Sequence, residues 1–285
     1  MWTIGNILIG MANLLLSLFG LTMNALLFVT LTKYKEFHRS TSRIIRSLCI
    51  SCMMQLFVLS ISSVMTMAQS VFNDTLDTVL GAITQSGWDL YVGTTVTLAL
   101  DRVLIFVWYK YDKFTILPTA LLGCYWVFGL FCFVVYCFPR YHWSFASHYW
   151  WNYGRGSDSK VLSTEKYYDI ISFSFVLLMY LFLFAYIARM RVSLTHKLSS
   201  LWSEIRIFIT AVVCFLVQTF YVTAAFWSLL PFRGNANQIV VNLAVTVECG
   251  MFASIIMSTS SVLRKKAIEM IRGKKNVIVV TTLVS

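Results

Sequence analysis

The chain has 285 residues, of which 58% are hydrophobic, 16% aromatic and 12% charged, with a mean hydropathy of +0.73 and a formal net charge of +11. A soluble domain carries about 25% charged residues, so this composition excludes an ordinary water-soluble globule and points to an all-α membrane protein that crosses the bilayer several times. The positive charge belongs with membrane topology and not with nucleic acid, because no basic stripe is interleaved with base-stacking aromatics.

Seven apolar segments are long enough to cross a hydrocarbon core of roughly 30 Å. The first is predicted over Ile4–Thr32, and without a basic leader it reads as a retained span and not a cleaved signal. A cation-rich loop follows, with Lys33, Lys35, His38, Arg39 and Arg43. The second span is Ile44–Phe72, and a short acidic turn leads into the third, Val79–Tyr109. That turn holds the only glycosylation sequon, Asn73-Asp74-Thr75, so Asn73 is a candidate acceptor. The fourth span is Ile116–Phe138, with Pro118 in its first turn, where a missing N–H costs nothing. The longest loop, Arg140–Glu165, is aromatic and polar, and is placed to cover the mouth of the bundle. Spans five, six and seven are Lys166–Ala188, Glu204–Leu230 and Asn237–Leu263.

The loop cations orient the bundle. Eighteen of the 23 Lys and Arg residues fall on one side and five on the other, which puts the N-terminus outside and the C-terminus in the cytoplasm. After the last span, Leu263, Ala267 and Ile271 recur at helical spacing with Ile268 beside them, while Arg264, Lys265 and Arg272 take other faces. This reads as a short amphipathic basic helix on anionic inner-leaflet lipids. Residues 1–263 are therefore expected to form a seven-transmembrane helix bundle, and residues 264–285 a cytoplasmic tail carrying the amphipathic helix.

Two sets of residues stand out. The third span ends in Asp101-Arg102, an acid and a base side by side where a span meets water. Glu204 and Arg206 open the sixth span on the same side, so Arg102, Asp101 and Glu204 are candidates to hold spans three and six together. The second set lies in the outer half. Asp89 is twelve residues before Asp101, about 18 Å along a helix, and Glu248 is fifteen before Leu263, about 22 Å. No Lys or Arg falls at that depth in any span, so each carboxylate must be neutralised or find a partner from outside. Both are candidates to bind a ligand group or a small cation, and Gln85, Trp88, Tyr91, Tyr221, Trp227 and Asn242 are candidates to line the same cavity.

No catalytic constellation is present. The four histidines, His38, His142, His148 and His196, lie in loops and not at metal spacing. Cys49 and Cys52 have a CxxC spacing but no second pair, inside an apolar helix, and read as packing residues. No metal, no cofactor and no enzyme activity are expected.

The block Leu98-Ala99-Leu100-Asp101-Arg102-Val103 resembles the end of the third helix in rhodopsin-like G-protein-coupled receptors, with Val103 where that family has an aromatic. Asn24 resembles the family's first-span Asn, and Trp126, twenty-four residues after Arg102, its fourth-span Trp. The departures are an absent acid in span two, no Cys at the start of span three, no Pro within spans five to seven, and Ser254-Ile255-Ile256-Met257-Ser258 where an Asn-Pro-x-x-Tyr motif would end span seven. Its short N-terminus and sparse motifs are most similar to the divergent nematode serpentine chemoreceptors. The resemblance implies a receptor in the plasma membrane, including that of a sensory cilium, which binds an extracellular small molecule or peptide and activates a heterotrimeric G protein through Arg102. Two alternatives stay open on sequence: a receptor-like protein that no longer couples, and a transporter or channel. A transporter would show paired half-repeats and broken spans, and neither is visible here.

Overall fold

The computed structural model describes residues 4–34, 37, 40–107, 116–138, 140–145, 149, 151–153, 159–191, 198–227 and 235–272, the side chains of 152–153, 159–162, 188, 190–191, 198–204, 221 and 223–227 excepted. The described chain forms helices α1 (Ile4–Lys33), α2 (Ser40–Ala68), α3 (Asp74–Val107) and α4 (Ile116–Tyr136), then a two-stranded hairpin of β1 (Trp143–Ser144) and β2 (Asn152–Tyr153). After it come α5 (Ser159–Arg191), α6 (Leu198–Trp227), α7 (Asn235–Thr259) and the short α8 (Ser261–Ile271). Helices α1 to α5 and α7 are long and apolar enough to cross a membrane, and α6 holds a shorter apolar stretch, Ile205–Phe220. Every expected span thus has its helix.

The ends of these helices have local causes. The link from α2 to α3 is compact because Gln69 and Phe72 take left-handed backbone, with φ of 50° and 62°. Asn73 then caps α3, its Oδ1 accepting from the Thr75 N–H at 2.7 Å. The sequon asparagine therefore has a structural task at the helix start. The apolar run through Leu263 does not stay in one helix, as the sequence suggests. It breaks at Ser260, which is extended (φ −93°, ψ 103°) and whose side chain caps α8 by accepting from the Leu263 N–H. A serine offers the new helix a hydrogen bond that continuing α7 would not use.

Helix α3 runs through the centre and is buried along most of its length. It packs against α2, α4 and α5 with a smaller contact to α6, while α1 packs on α2 and α7, and α7 on α6. Helix association inside lipid gains little from the hydrophobic effect, so close backbone approach and interhelical hydrogen bonds matter more. Both appear between α1 and α7. Gly20 faces Gly250 so closely that a Cβ on Gly250 would stand 3.1 Å from the Gly20 Cα. Beside this contact the Asn24 amide donates to the Gly20 and Cys249 carbonyls, each at 2.9 Å. Asn24, singled out by resemblance, is thus the polar tie between first and last spans.

Helix α8 turns along the bundle. Leu263 and Ala267 are buried in the main core, whereas Ile268 and Ile271 are exposed. The face that packs on the bundle is narrower than the stripe seen in the sequence, since of its four apolar residues only Leu263 and Ala267 are covered. Tyr34, just past α1, donates to the Lys266 carbonyl at 3.1 Å, and the Lys266 ammonium lies 4.9 Å from the Tyr34 ring centroid.

Replacing Asn24 with Leu removes both bonds and strands the Cys249 carbonyl. It is expected to cost about 1–2 kcal/mol. Gly250→Val, which forces α1 and α7 apart, is expected to cost about 1–3 kcal/mol. Thermal unfolding of the purified protein checks both, and Gly250→Val should melt at or below Asn24→Leu.

Candidate functional site

Three carboxylates meet in the hairpin half of the bundle, between α3 and α5. Asp89 of α3 and Glu165 and Asp169 of α5 are all buried. They interact electrostatically with one another. Each is met by a neutral donor. The Gln85 amide donates to Glu165. The Trp88 indole N–H lies 3.3 and 3.4 Å from the two Asp169 oxygens. The Tyr136 hydroxyl of α4 donates to Asp89 at 3.4 Å. Neutral donors spread a negative charge without cancelling it, so the cluster favours a guest that is cationic or rich in N–H and O–H groups.

Glu248 is elsewhere. Asp89 and Tyr91 are two residues apart on α3 and so face nearly opposite ways. Tyr91 turns toward α7, where its hydroxyl interacts with Glu248. Glu248 is 1% exposed, and apart from this approach of the Tyr91 hydroxyl neither of its oxygens meets a donor at hydrogen-bond geometry. Its surroundings are the thiols of Cys52 on α2 and Cys214 on α6, with Cys249 next in the chain. The single cavity expected around Asp89 and Glu248 is therefore divided by α3 into two separate polar places.

Asn242 belongs to neither. Its amide donates to the Tyr149 carbonyl at 2.7 Å, and its Oδ1 accepts from Asn13 at 3.2 Å. Asn13 also donates to Ser63 and accepts from Thr246, which joins α1, α2 and α7. Tyr149 completes the tie by donating to Asn6 at 2.8 Å. This network holds the aromatic loop down. Phe145 and Trp151 are fully buried in a small cluster with Val58, Met65 and Leu80, their rings 5.2 Å apart. The Phe145 N–H donates to Asp77 at 3.0 Å, and the Trp143 backbone lies against Gly81, where a Cβ would collide with it. An aspartate, a glycine and two plugged aromatics thus fasten the loop to α3 where no cysteine is available.

At the opposite end, Arg102 is fully buried. Its Nη2 lies 2.6 Å from Asp101 Oδ2 and 2.5 Å from the Thr41 hydroxyl of α2, which itself donates to Asp101 at 2.7 Å. The acid–base pair is closed into a three-membered cluster by a residue the sequence did not flag. Arg206 is half-buried on α6. The side chains of Glu204, Tyr221 and Trp227 lie outside the described residues, so the expected tie from Arg102 to α6 does not enter this description. A chain of ring contacts joins the two ends. Trp88 meets Phe173 at 6.3 Å, Phe173 meets Phe215 at 6.1 Å, and Tyr180 sits 5.6 Å from both Phe215 and Phe208. Phe208 then meets Phe106, one turn past Arg102, at 6.4 Å.

Residues 14–263 match the family described as serpentine type 7TM GPCR chemoreceptor Srx. The chain belongs to the Srx family. No curated protein matches it. As an Srx chain it is a multi-pass membrane protein of a chemoreceptor class, not of an enzyme family, and the nematode serpentine resemblance seen in the sequence is correct. Among the described residues of this Srx chain no His, Cys, Asp and Glu side chains group as metal ligands.

Glu165 and Asp169 were not singled out by sequence. They stand at the start of a span, where acids usually meet water, and only the extension of α5 back to Ser159 carries them inside. Thr41 was missed for a related reason: α2 begins at Ser40, four residues before its apolar run.

Asp77→Ala is expected to release the Phe145 amide without unfolding the bundle. Loss of one hydrogen bond to a charged acceptor should raise hydrogen exchange in residues 143–145 by about tenfold or more. Hydrogen–deuterium exchange read by mass spectrometry checks it, with α1–α2 peptides unchanged.

Proposed function

We propose that this Srx chain is a chemosensory receptor that binds an extracellular small molecule or peptide and passes the signal to a heterotrimeric G protein. The observation that carries the reading is the closed Arg102–Asp101–Thr41 cluster at the far end of the bundle from the carboxylate cluster. A G protein can use Arg102 only if the guanidinium leaves this buried place. The observed state is accordingly the silent one. Hydrogen bonds to charged groups are worth about 1.5–3 kcal/mol. Allosteric coupling is typically about 1–3 kcal/mol, so a ligand is able to overcome such a latch if it binds the open bundle better than the closed one.

The cation asymmetry supports an outside N-terminus, which sets the hairpin end toward the environment and Arg102 toward the cytoplasm. The ligand then meets Gln85, Trp88, Asp89, Glu165 and Asp169 beneath the aromatic loop, with Tyr221 and Trp227 on α6 as further candidates. Glu204 and Arg206 are proposed to take part in coupling from the start of α6. Residues 1–263 act as the receptor body. The tail from Arg264 onward places Arg264, Lys265 and Arg272 near anionic lipid headgroups. A sensory ciliary membrane is the proposed location.

Arg102→Ala is expected to abolish agonist-dependent G-protein recruitment per receptor at the surface, and also to lower surface expression, because it leaves buried Asp101 with Thr41 alone, at a cost of about 3–5 kcal/mol. Thr41→Val removes the hydroxyl that closes the cluster. It should raise ligand-independent signalling several-fold, by about 1 kcal/mol of lost latch. Recruitment assays in cells expressing matched amounts of each variant check both, and normal signalling by Arg102→Ala would overturn the reading.

A further inference from the structure

Among the described residues, two side chains carry a pair of buried polar atoms without a hydrogen-bond partner. One is Glu248 of α7, 1% exposed, with both carboxylate oxygens unmet. The other is Gln218 of α6, 0% exposed, with both its amide nitrogen and its amide oxygen unmet. The packing of α6 on α7 links them through Cys214. Gln218 stands four residues after Cys214, so the two share a face of α6 one turn apart. Cys214 interacts with Glu248 across the interface between α6 and α7. Tyr91 of α3 and Cys52 of α2 close the other sides.

Such groups are costly. An unsatisfied buried polar atom costs about 1–3 kcal/mol, and a charge at membrane depth more. Taking up a proton would relieve Glu248, but it would leave the Gln218 amide as it is. A guest that brings both positive charge and several N–H donors relieves Glu248 and the Gln218 amide oxygen. A bare metal ion does not fit, because no His, Cys, Asp and Glu side chains group as ligands among the described residues. An ammonium group has three donors on one centre. Its three N–H groups match in number the two Glu248 oxygens and the Gln218 Oε1, and the Cys52 and Cys214 thiols are soft, weakly polar neighbours of Glu248.

We propose that Glu248 and Gln218 form a recognition site for a small primary amine in its protonated form. This deepens the receptor reading by assigning a chemical class to a ligand, and it rests on that reading only for its signalling consequence. The carboxylate supplies the charge and the amide fixes the direction of the third N–H. An alcohol of the same shape has one donor and no charge, and leaves most of the site unmet.

The test uses the full chain in phosphatidylcholine nanodiscs, melted while its tryptophan fluorescence is followed. Butylamine and cyclohexylamine are compared at equal concentrations with butan-1-ol and cyclohexanol. The amines are expected to raise the melting temperature of the unmodified protein, and the alcohols are not. In Glu248→Gln the amine concentration needed for a given shift should rise by at least about tenfold, since a buried charge pair has lost its acid. In Gln218→Leu it should rise by about threefold to tenfold. Amines no more stabilising than alcohols, or the same amine dependence in Glu248→Gln, would overturn the proposal. The comparison on the unmodified protein decides the matter even if a variant fails to fold. Amine binding without any G-protein recruitment would fault the receptor reading and leave the site standing. Recruitment by a ligand with no amine, in a protein that amines do not stabilise, would do the reverse.

Discussion

Inside a bilayer a polar side chain has no water to fall back on, and helix α3 brings its polar residues into the middle of the bundle. Each has to be met by another helix or by its own backbone. Thr94 lies 3.4 Å from Ser47 of α2, Thr97 returns to the Gly93 carbonyl, and Gln85 turns to Glu165 of α5. Asp101 and Arg102 take Thr41. The position of α3 is therefore specified from several sides by hydrogen bonds with few alternatives, while the apolar surface around it is nearly indifferent to which helix it touches. Rotation of α3 by one residue would strand most of these groups together.

The same constraint explains how the chain works without features usual among rhodopsin-like receptors. The loop after α4 is fastened by Asp77, by the space left at Gly81, and by two buried rings. No proline bends α5, α6 or α7, yet an unbroken path of aromatic contacts runs from Trp88 to Phe106. Packed rings in such a path have few alternative rotamers, so a shift of Trp88 by a guest at Asp169 has to be taken up by its neighbours. Straight helices that tilt as rods suit this kind of transmission better than a local hinge does.

Much of the architecture was legible in the sequence because the bilayer imposes a length. Runs such as Ile4–Thr32 and Ile116–Phe138 needed no side-chain detail to be read as spans. Asp101-Arg102 was visible because charge is rare in such runs. What stayed hidden depended on rotation about helix axes and on where helices begin. Asp89 and Glu248 share a depth but not a face, and depth alone merged them into one cavity. Glu165 looked like the last residue of a loop until α5 was seen to start at Ser159. Gln218 carries no charge to mark it in an apolar stretch, and only its burial with both amide atoms unmet sets it apart. The division at Ser260 was hidden because the residues on both sides are equally apolar.

That division has a mechanical corollary. The eighth helix is continuous in sequence with α7 but is clamped to the end of α1 by the stacking and carbonyl contact of Tyr34 with Lys266. Were the end of α7 beside Ser260 to swing, α8 would be pulled both ways, held to α1 by Tyr34 and to α7 by the bond from Arg264 to the Ser258 carbonyl. The extended residue between the two helices is where such a torsion would collect, in a stretch that has no proline.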